Sequence, residues 1–415
     1  MGTLLDHLFM KRRTLFFSLI LFSLITQVIT LLHSPDPSIS DSSFEFCNYY
    51  INKFRILNVH IDCDAQYFLL DAQNPMRILN DQSPIQDRPL HAVFVYLIAK
   101  ILTLVGMPEF PITYLGEDGI PQTYNLLHYT IYIGLNALIL FISVILVLRV
   151  LVLVSNKKNS TKGFTLPIIL TVGILVQNPI TFEFFWTAHS QIFNILIPAL
   201  IFYFLHEDFI FTKSKLWGTI LLLAILLLMY PTFFIVLPVI YLKAMQQLGK
   251  KTIPIVTLAV LPKILWPGIL GLLGGNYNDT PVEGHRRFIW IIDSLKDNTF
   301  PSTLLNKLDL FIHSIPLLWV FILLAYIAIG VWASKSNSVL LTGVSKQYLQ
   351  NSFIAFSTYF LGIALNGEYG PRFTIGVLIL LALLITKEAL RVGTPRNFTL
   401  LYSLILGINL VSWIF

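Results

Sequence analysis

Residues 62–91 read DCDAQYFLLDAQNPMRILNDQSPIQDRPLH, a polar, carboxylate-rich segment set between two strongly apolar stretches. Around it the chain has too few charges to cover a soluble globule of its size. It is 55% hydrophobic and 12% charged over 415 residues, with a mean hydropathy of +0.74. The expected fold class is therefore an all-α polytopic membrane protein. The net charge of +6 does not point to nucleic acid, because Lys and Arg fall in short clusters between apolar runs, where they act as topology signals.

Working outward from that segment, Lys11, Arg12 and Arg13 precede an apolar run over 14–32, long enough for a first span with the N-terminus in the cytoplasm. The h-region is too long for a cleaved signal peptide, and no small-residue cleavage site follows it. The loop over 33–128 is then extracytoplasmic. Within it, 65–72 is rich in helix formers and predicts a short helix along the interface. Residues 91–107 are apolar but of marginal length, and parity decides their place. The run 129–154 ends at Lys157, Lys158 and Lys162, a cytoplasmic signature, so 91–107 lies in or on the outer interface and 129–154 is the second span.

Beyond it the apolar runs alternate. Residues 164–180 go out, 181–191 form a short external turn and 192–211 return to Lys213 and Lys215. The runs 216–229 and 233–245 are split by Tyr230 and Pro231 and read as a helical hairpin. Residues 252–273 lead out to a second extracytoplasmic loop at 274–309, and the runs 310–333, 348–365, 373–385 and 399–415 complete about eleven helices. The whole of 1–415 reads as one transmembrane domain. Cys47 and Cys63 share the first loop, where a disulfide is the expectation in an oxidising compartment.

Chemistry is sought among the extracytoplasmic acids and bases. Asp62 and Asp64 point the same way on an extended loop and diverge on a helix. Such a pair serves as a general base or shares a divalent cation, and the plain alternative is two solvated loop acids. Glu183 and His189 lie in the turn TFEFFWTAHSQ, placed to hold an acceptor or a metal, though the aromatic residues around them also read as an interfacial belt. Lys263, between Pro262 and Pro267 in an apolar run, either faces a cavity that holds a phosphate or snorkels. Arg286 and Arg287 bind phosphate or anionic headgroups.

The order of these features resembles the GT-C glycosyltransferases, the class of aminoarabinose transferases and protein O-mannosyltransferases. Asp64-Ala65-Gln66-Tyr67, with Asp71-Ala72 after it, looks like the family's acidic segment. Arg88-Pro89-Leu90 looks like its basic-proline segment at the head of an interfacial helix, and Glu368-Tyr369-Gly370-Pro371-Arg372-Phe373 is similar to its late motif at the outer end of a helix. The resemblance implies transfer of a hexosyl or pentosyl unit from a polyprenyl-phosphate-linked donor to a lipid, glycan or protein acceptor, outside the cytoplasm at the plasma or inner membrane. It implies Asp64 as the base, with Asp62 as its rival or as co-ligand of a divalent cation. Arg372 would hold the leaving phosphate, its alternative being an interfacial anchor or a partner for Glu368, and Arg88 and Lys263 are further candidates for that phosphate. Two other functions compete. A transporter or flippase wants ionisable groups at midplane and matched broken helices, which are not evident here. A polysaccharide polymerase or ligase carries its large external loop late in the chain, whereas here it comes first.

Overall fold

The computed structural model describes residues 20, 49–54, 57–61, 63–79, 83, 85–115, 121–157, 165–206, 209–275, 289–313, 343–366, 371–392, 403, 404 and 406–408. The cysteine pairing, the first span at 14–32, Asp62, and Arg286 and Arg287 all fall wholly or partly outside them. Helices dominate, as composition demands. Two two-stranded antiparallel hairpins, both in the first loop, are additions that an all-α reading does not contain: β1 (Tyr49–Phe54) with β2 (Leu57–Ile61), and β3 (Pro111–Leu115) with β4 (Pro121–Asn125).

Helix α1 (Cys63–Gln73) covers the predicted 65–72. Ala65, Phe68, Leu69 and Ala72 fall at the i, i+3, i+4 and i+7 spacing of one face, and all are buried. It stops where Pro75 forces Asn74 out of helical geometry. Asn74 Oδ1 accepts the Met76 N–H at 3.3 Å and opens a 3₁₀ turn over Pro75–Ile78.

Helix α2 (Pro89–Leu104) begins on a proline whose missing N–H is no loss in a first turn. Its end is a Schellman motif: Gly106 sits at φ +93°, its N–H reaches Thr103 O at 3.0 Å, and the Met107 N–H reaches Leu102 O at 3.0 Å. Sixteen residues at 1.5 Å each fall short of a roughly 30 Å hydrocarbon core. Ala92, Val95 and Ala99 turn inward on α1, while Phe94, Leu97, Ile101 and Leu104 are exposed. That two-faced character suits the interfacial position predicted for 91–107.

The centre is α6 (Phe193–Leu205), apolar nearly all round and buried on almost every residue. It packs between α3 (Leu126–Lys157) and α14 (Pro371–Val392), whose stretch from Ile375 to Ile385 is likewise buried. Short helices α4 (Thr165–Val176) and α5 (Pro179–Phe184) precede it, and α13 (Gly343–Asn366) lies against α14. At Gly376 of α14 the approach is too close for any side chain: a Cβ there would overlap the Tyr359 hydroxyl and lie 3.1 Å from Asn194 O.

The split pair appears as α7 (Lys213–Met229), a 3₁₀ stretch over Pro231–Val236, and α8 (Leu237–Leu248), with Tyr230 extended between them. After it come α9 (Ile253–Thr257) and α10 (Leu261–Leu272). The second loop is not irregular throughout, since α11 (Ile289–Lys296) and α12 (Phe300–His313) lie within or across 274–309. Among the described residues, three helical stretches are long and apolar enough to cross a membrane: Leu126–Val154, Pro231–Leu248 and Lys250–Leu272. They mark the chain as a membrane protein.

Candidate active site

Asp64 stands in the first turn of α1, where a carboxylate is favoured by the helix dipole. Its side chain is 58% exposed, and Oδ2 lies 3.1 Å from His189 Nε2. The histidine is buried, its ring 5.1 Å from Phe68 and 5.0 Å from Phe184. Its other nitrogen, Nδ1, accepts the Gln191 N–H at 3.1 Å. A nitrogen that accepts has no proton of its own, so Nε2 carries the ring proton and donates it to Asp64.

The turn that presents His189 is held by α3 from behind. Asn136, fully buried, donates through Nδ2 to Phe184 O at 3.1 Å, Phe185 O at 3.0 Å and Thr187 O at 3.1 Å. Tyr129 donates its hydroxyl to Trp186 O. Asn178 caps α5 by accepting the Thr181 N–H at 3.1 Å. Every backbone group of a buried turn needs such a partner, and α3 supplies several at once.

Three consecutive residues of that turn each tether a different element. His189 holds Asp64 of α1. Ser190 Oγ accepts Arg88 Nη1 at 2.8 Å, at the head of α2. Gln191 Oε1 accepts from the Tyr230 hydroxyl at 2.9 Å, at the break between α7 and α8, and from Asn194 Nδ2 at 2.7 Å. Arg88 also pairs with Asp87 at 3.4 Å and sits 5.5 Å from the centre of the Tyr230 ring.

Lys263 reaches this cluster from α10. Its ammonium donates to the Asp87 carbonyl oxygen, and Trp266 Nε1 donates to Gln86 O at 2.7 Å. Lys263 thus holds the turn that carries Arg88, a positioning contact with the chain itself. Behind Asp64, His91 of α2 is enclosed by Phe68, Tyr132 and Phe193 with ring centres 5.1 to 5.7 Å away. Burial pushes its pKa down to about 3, with the Arg88 charge acting in the same direction, so the ring stays neutral.

Asp71, two turns along α1, has a different role. It is fully buried, accepts from Ser83 Oγ, and pairs with Arg77 Nε at 3.3 Å. Burial raises its pKa from 3.8 to about 6 against the opposing pull of Ser83 and Arg77. It ties the 75–85 segment to α1 and is closed off from an acceptor.

Of the residues singled out in the sequence, Asp64, His189 and Arg88 come together, with Lys263 behind them. Glu183 lies in α5 and Arg372 in the first turn of α14, their side chains outside the described set, and Asp62 lies outside it altogether. Among the described residues, no three His, Cys, Asp or Glu side chains gather as a metal site. Asn136, Tyr129, Ser190 and Gln191 are the residues sequence reasoning missed. A lone Asn in the apolar run 129–154 was the available signal, since a buried amide needs partners. No protein-family model, curated protein or solved structure matches the chain. Fold and site together define a mostly helical membrane protein with a carboxylate–imidazole pair at an open edge.

Proposed function

We propose that this protein is an integral-membrane glycosyltransferase of about eleven spans. It moves a sugar from a polyprenyl-phosphate donor to an acceptor hydroxyl on the extracytoplasmic face of the plasma or inner membrane. The observation that carries the proposal is the exposed Asp64 carboxylate held by the Nε2–H of a buried His189, with the Arg88 guanidinium fixed on the adjacent Ser190. An open carboxylate beside a fixed cation is what a hydroxyl nucleophile and a phosphate leaving group require.

In this reaction the acceptor oxygen bonds to the anomeric carbon as its proton passes to an Asp64 oxygen. The bond from that carbon to the carrier phosphate oxygen breaks, and its electron pair leaves on the phosphate. Arg372, with a permanently charged planar fork, is assigned to that phosphate, and Arg88 to its nearer edge. Asp62 is the rival base.

The test is transfer from a radiolabelled polyprenyl-phosphate sugar pool in membranes, at matched protein level. Asp64→Asn keeps the shape but not the basicity and should cost about 10² to 10⁴ in rate. Collapse in Asp62→Asn with near-normal Asp64→Asn moves the base by two residues, and normal turnover in both sinks the mechanism. Orientation is tested separately. A cysteine at Ser43 in a background lacking Cys47 and Cys63 should label with an impermeant reagent from outside, and one at Ser160 should not.

A further inference from the structure

Arg88 carries its charge at the end of a flexible side chain, and a planar fork meets an oxyanion well only if its orientation is held. Its main chain is fixed from α10, through Lys263 on the Asp87 carbonyl and Trp266 on Gln86 O, and its own N–H closes on Ile85 O at 2.9 Å. Those contacts leave the guanidinium to other partners. It meets Ser190 Oγ at 2.8 Å through Nη1, the Asp87 carboxylate at 3.4 Å, and the ring of Tyr230, whose centre lies 5.5 Å from Cζ. The side chain is only 11% exposed, so the charge is largely out of water, where a cation is drawn to an aromatic face more strongly than at a surface.

Tyr230 is itself held still. A residue before a proline is pushed to extended geometry, and Tyr230, ahead of Pro231, sits at φ −155° and ψ 107°. Helix α7 ends on its N–H, which reaches Leu226 O at 2.7 Å. Its buried ring is stacked on Phe193 at 5.9 Å between centres and stands edge-on to Phe233 at 6.3 Å. Its hydroxyl lies 2.9 Å from Gln191 Oε1 and 3.0 Å from Asn194 Oδ1. A closed circuit results: Arg88 to Ser190, Ser190 to its neighbour Gln191, Gln191 to the Tyr230 hydroxyl, and the Tyr230 ring back to Arg88. Core packing accounts for a buried aromatic ring here. It does not call for a guanidinium over that ring, since a charge taken out of water is costly unless it is compensated.

We infer that Tyr230 is a positioning residue for Arg88. Its ring, anchored through the hydroxyl to the residue next to Ser190, fixes the guanidinium in the pose in which it receives a phosphate oxygen. Ser190 Oγ alone would hold one nitrogen and leave the plane of the fork free to turn about that bond, and the ring removes that freedom. Because Tyr230 is also the break between α7 and α8, the pose of Arg88 is set by the same residue that splits that helical pair. The inference rests on the transferase reading for its ligand, the phosphate of the polyprenyl donor, and is independent of it for the clamp itself.

The experiment uses the full chain in detergent and changes the ring without changing its shape. Tyr230→Phe keeps the aromatic face, and trifluorophenylalanine incorporated at position 230 keeps the bulk while withdrawing the electron density that attracts a cation. The first readout needs no ligand. It is the guanidinium NMR signals of Arg88 in protein made with isotope-labelled arginine, identified by their absence in Arg88→Gln. Separate Nη signals are expected in wild type and in Tyr230→Phe, and averaged ones with the fluorinated ring. The second readout is affinity for farnesyl phosphate, measured against farnesol. It should be about fivefold weaker with the fluorinated ring than in Tyr230→Phe, the scale of one cation–π contact, and that difference should vanish in Arg88→Gln. Arg88 signals unchanged across the ring series, or a fivefold loss that persists in Arg88→Gln, overturns the inference. Signals that respond as expected, in a wild type that binds farnesyl phosphate no better than farnesol, uphold the clamp and overturn the assignment of Arg88 to a phosphate.

Discussion

His189 Nε2 and Asp64 Oδ2 lie 3.1 Å apart across 125 residues of sequence, and the imidazole, not the carboxylate, is the buried partner. The exposed acid is thereby fixed from within. His189→Ala removes the donor and should lower sugar transfer about tenfold, the scale of one lost hydrogen bond to a charged group. His189→Gln keeps an N–H near the same place and should recover part of the loss. Equal activity in wild type and both variants would show that the pairing does not serve the reaction.

Asn136 should govern the stability of the turn that carries His189. Asn136→Ala leaves three carbonyls short of their shared donor and should destabilise by about 1 to 3 kcal/mol. Asn136→Asp is expected to be worse, because it faces those carbonyls with a further acceptor. Apparent melting temperatures of the purified protein in detergent, followed by intrinsic fluorescence, should fall in the order wild type, Asn136→Ala, Asn136→Asp.

Asp71 predicts a pH dependence of definite sign. Its folded pKa of about 6 lies above the ordinary 3.8, so between those values the folded state holds more protons than the unfolded one. The contribution of this group to stability is therefore fully present below about pH 4 and is lost as pH rises through about 6. Asp71→Asn, which cannot ionise, should flatten that part of the profile. Melting temperatures measured from pH 4.5 to 7.5 check it, and an unchanged slope in the variant would assign the dependence elsewhere.

Gly376 sets the spacing of α14 against α6 and α13. Gly376→Ala drives a methyl group into the Tyr359 hydroxyl and should destabilise by about 1 to 3 kcal/mol, the usual scale of overpacking. Removing that hydroxyl in Gly376→Ala/Tyr359→Phe should restore part of the loss. The double-mutant cycle then gives a favourable coupling, and strict additivity would place the clash somewhere else.

Much of this architecture was legible because apolar periodicity and proline are local signals. Helix formers over 65–72 mark α1, Arg88-Pro89 marks the head of α2, and the apolar run 129–154 sits inside α3. The two hairpins escaped notice: 49–61 carries no Asn-Gly or Asp-Gly turn, while 111–125 does carry Asp118-Gly119, a hairpin signal that was passed over inside a loop read for its helices. Asp64, His189 and Arg88 were each visible as chemistry-bearing residues. Their convergence was not, because it depends on packing between elements 100 or more residues apart. Lys263 reads in the sequence as either cavity-facing or snorkelling, and the contact its ammonium makes with the Asp87 main-chain carbonyl is a tertiary one that the local sequence does not signal.

The occupied Nδ1 of His189 also decides where a proton can go. In a relay, an imidazole takes a proton on one nitrogen and surrenders one from the other. Here the second nitrogen is tied to the Gln191 peptide N–H and the first already bears hydrogen, so the ring is a dead end. A proton gained by Asp64 has no inward wire through His189 and returns to bulk solvent across the exposed face of the carboxylate. Its departure is then set by water and buffer at that face, and the hydrophobic interior stays free of traffic in charge.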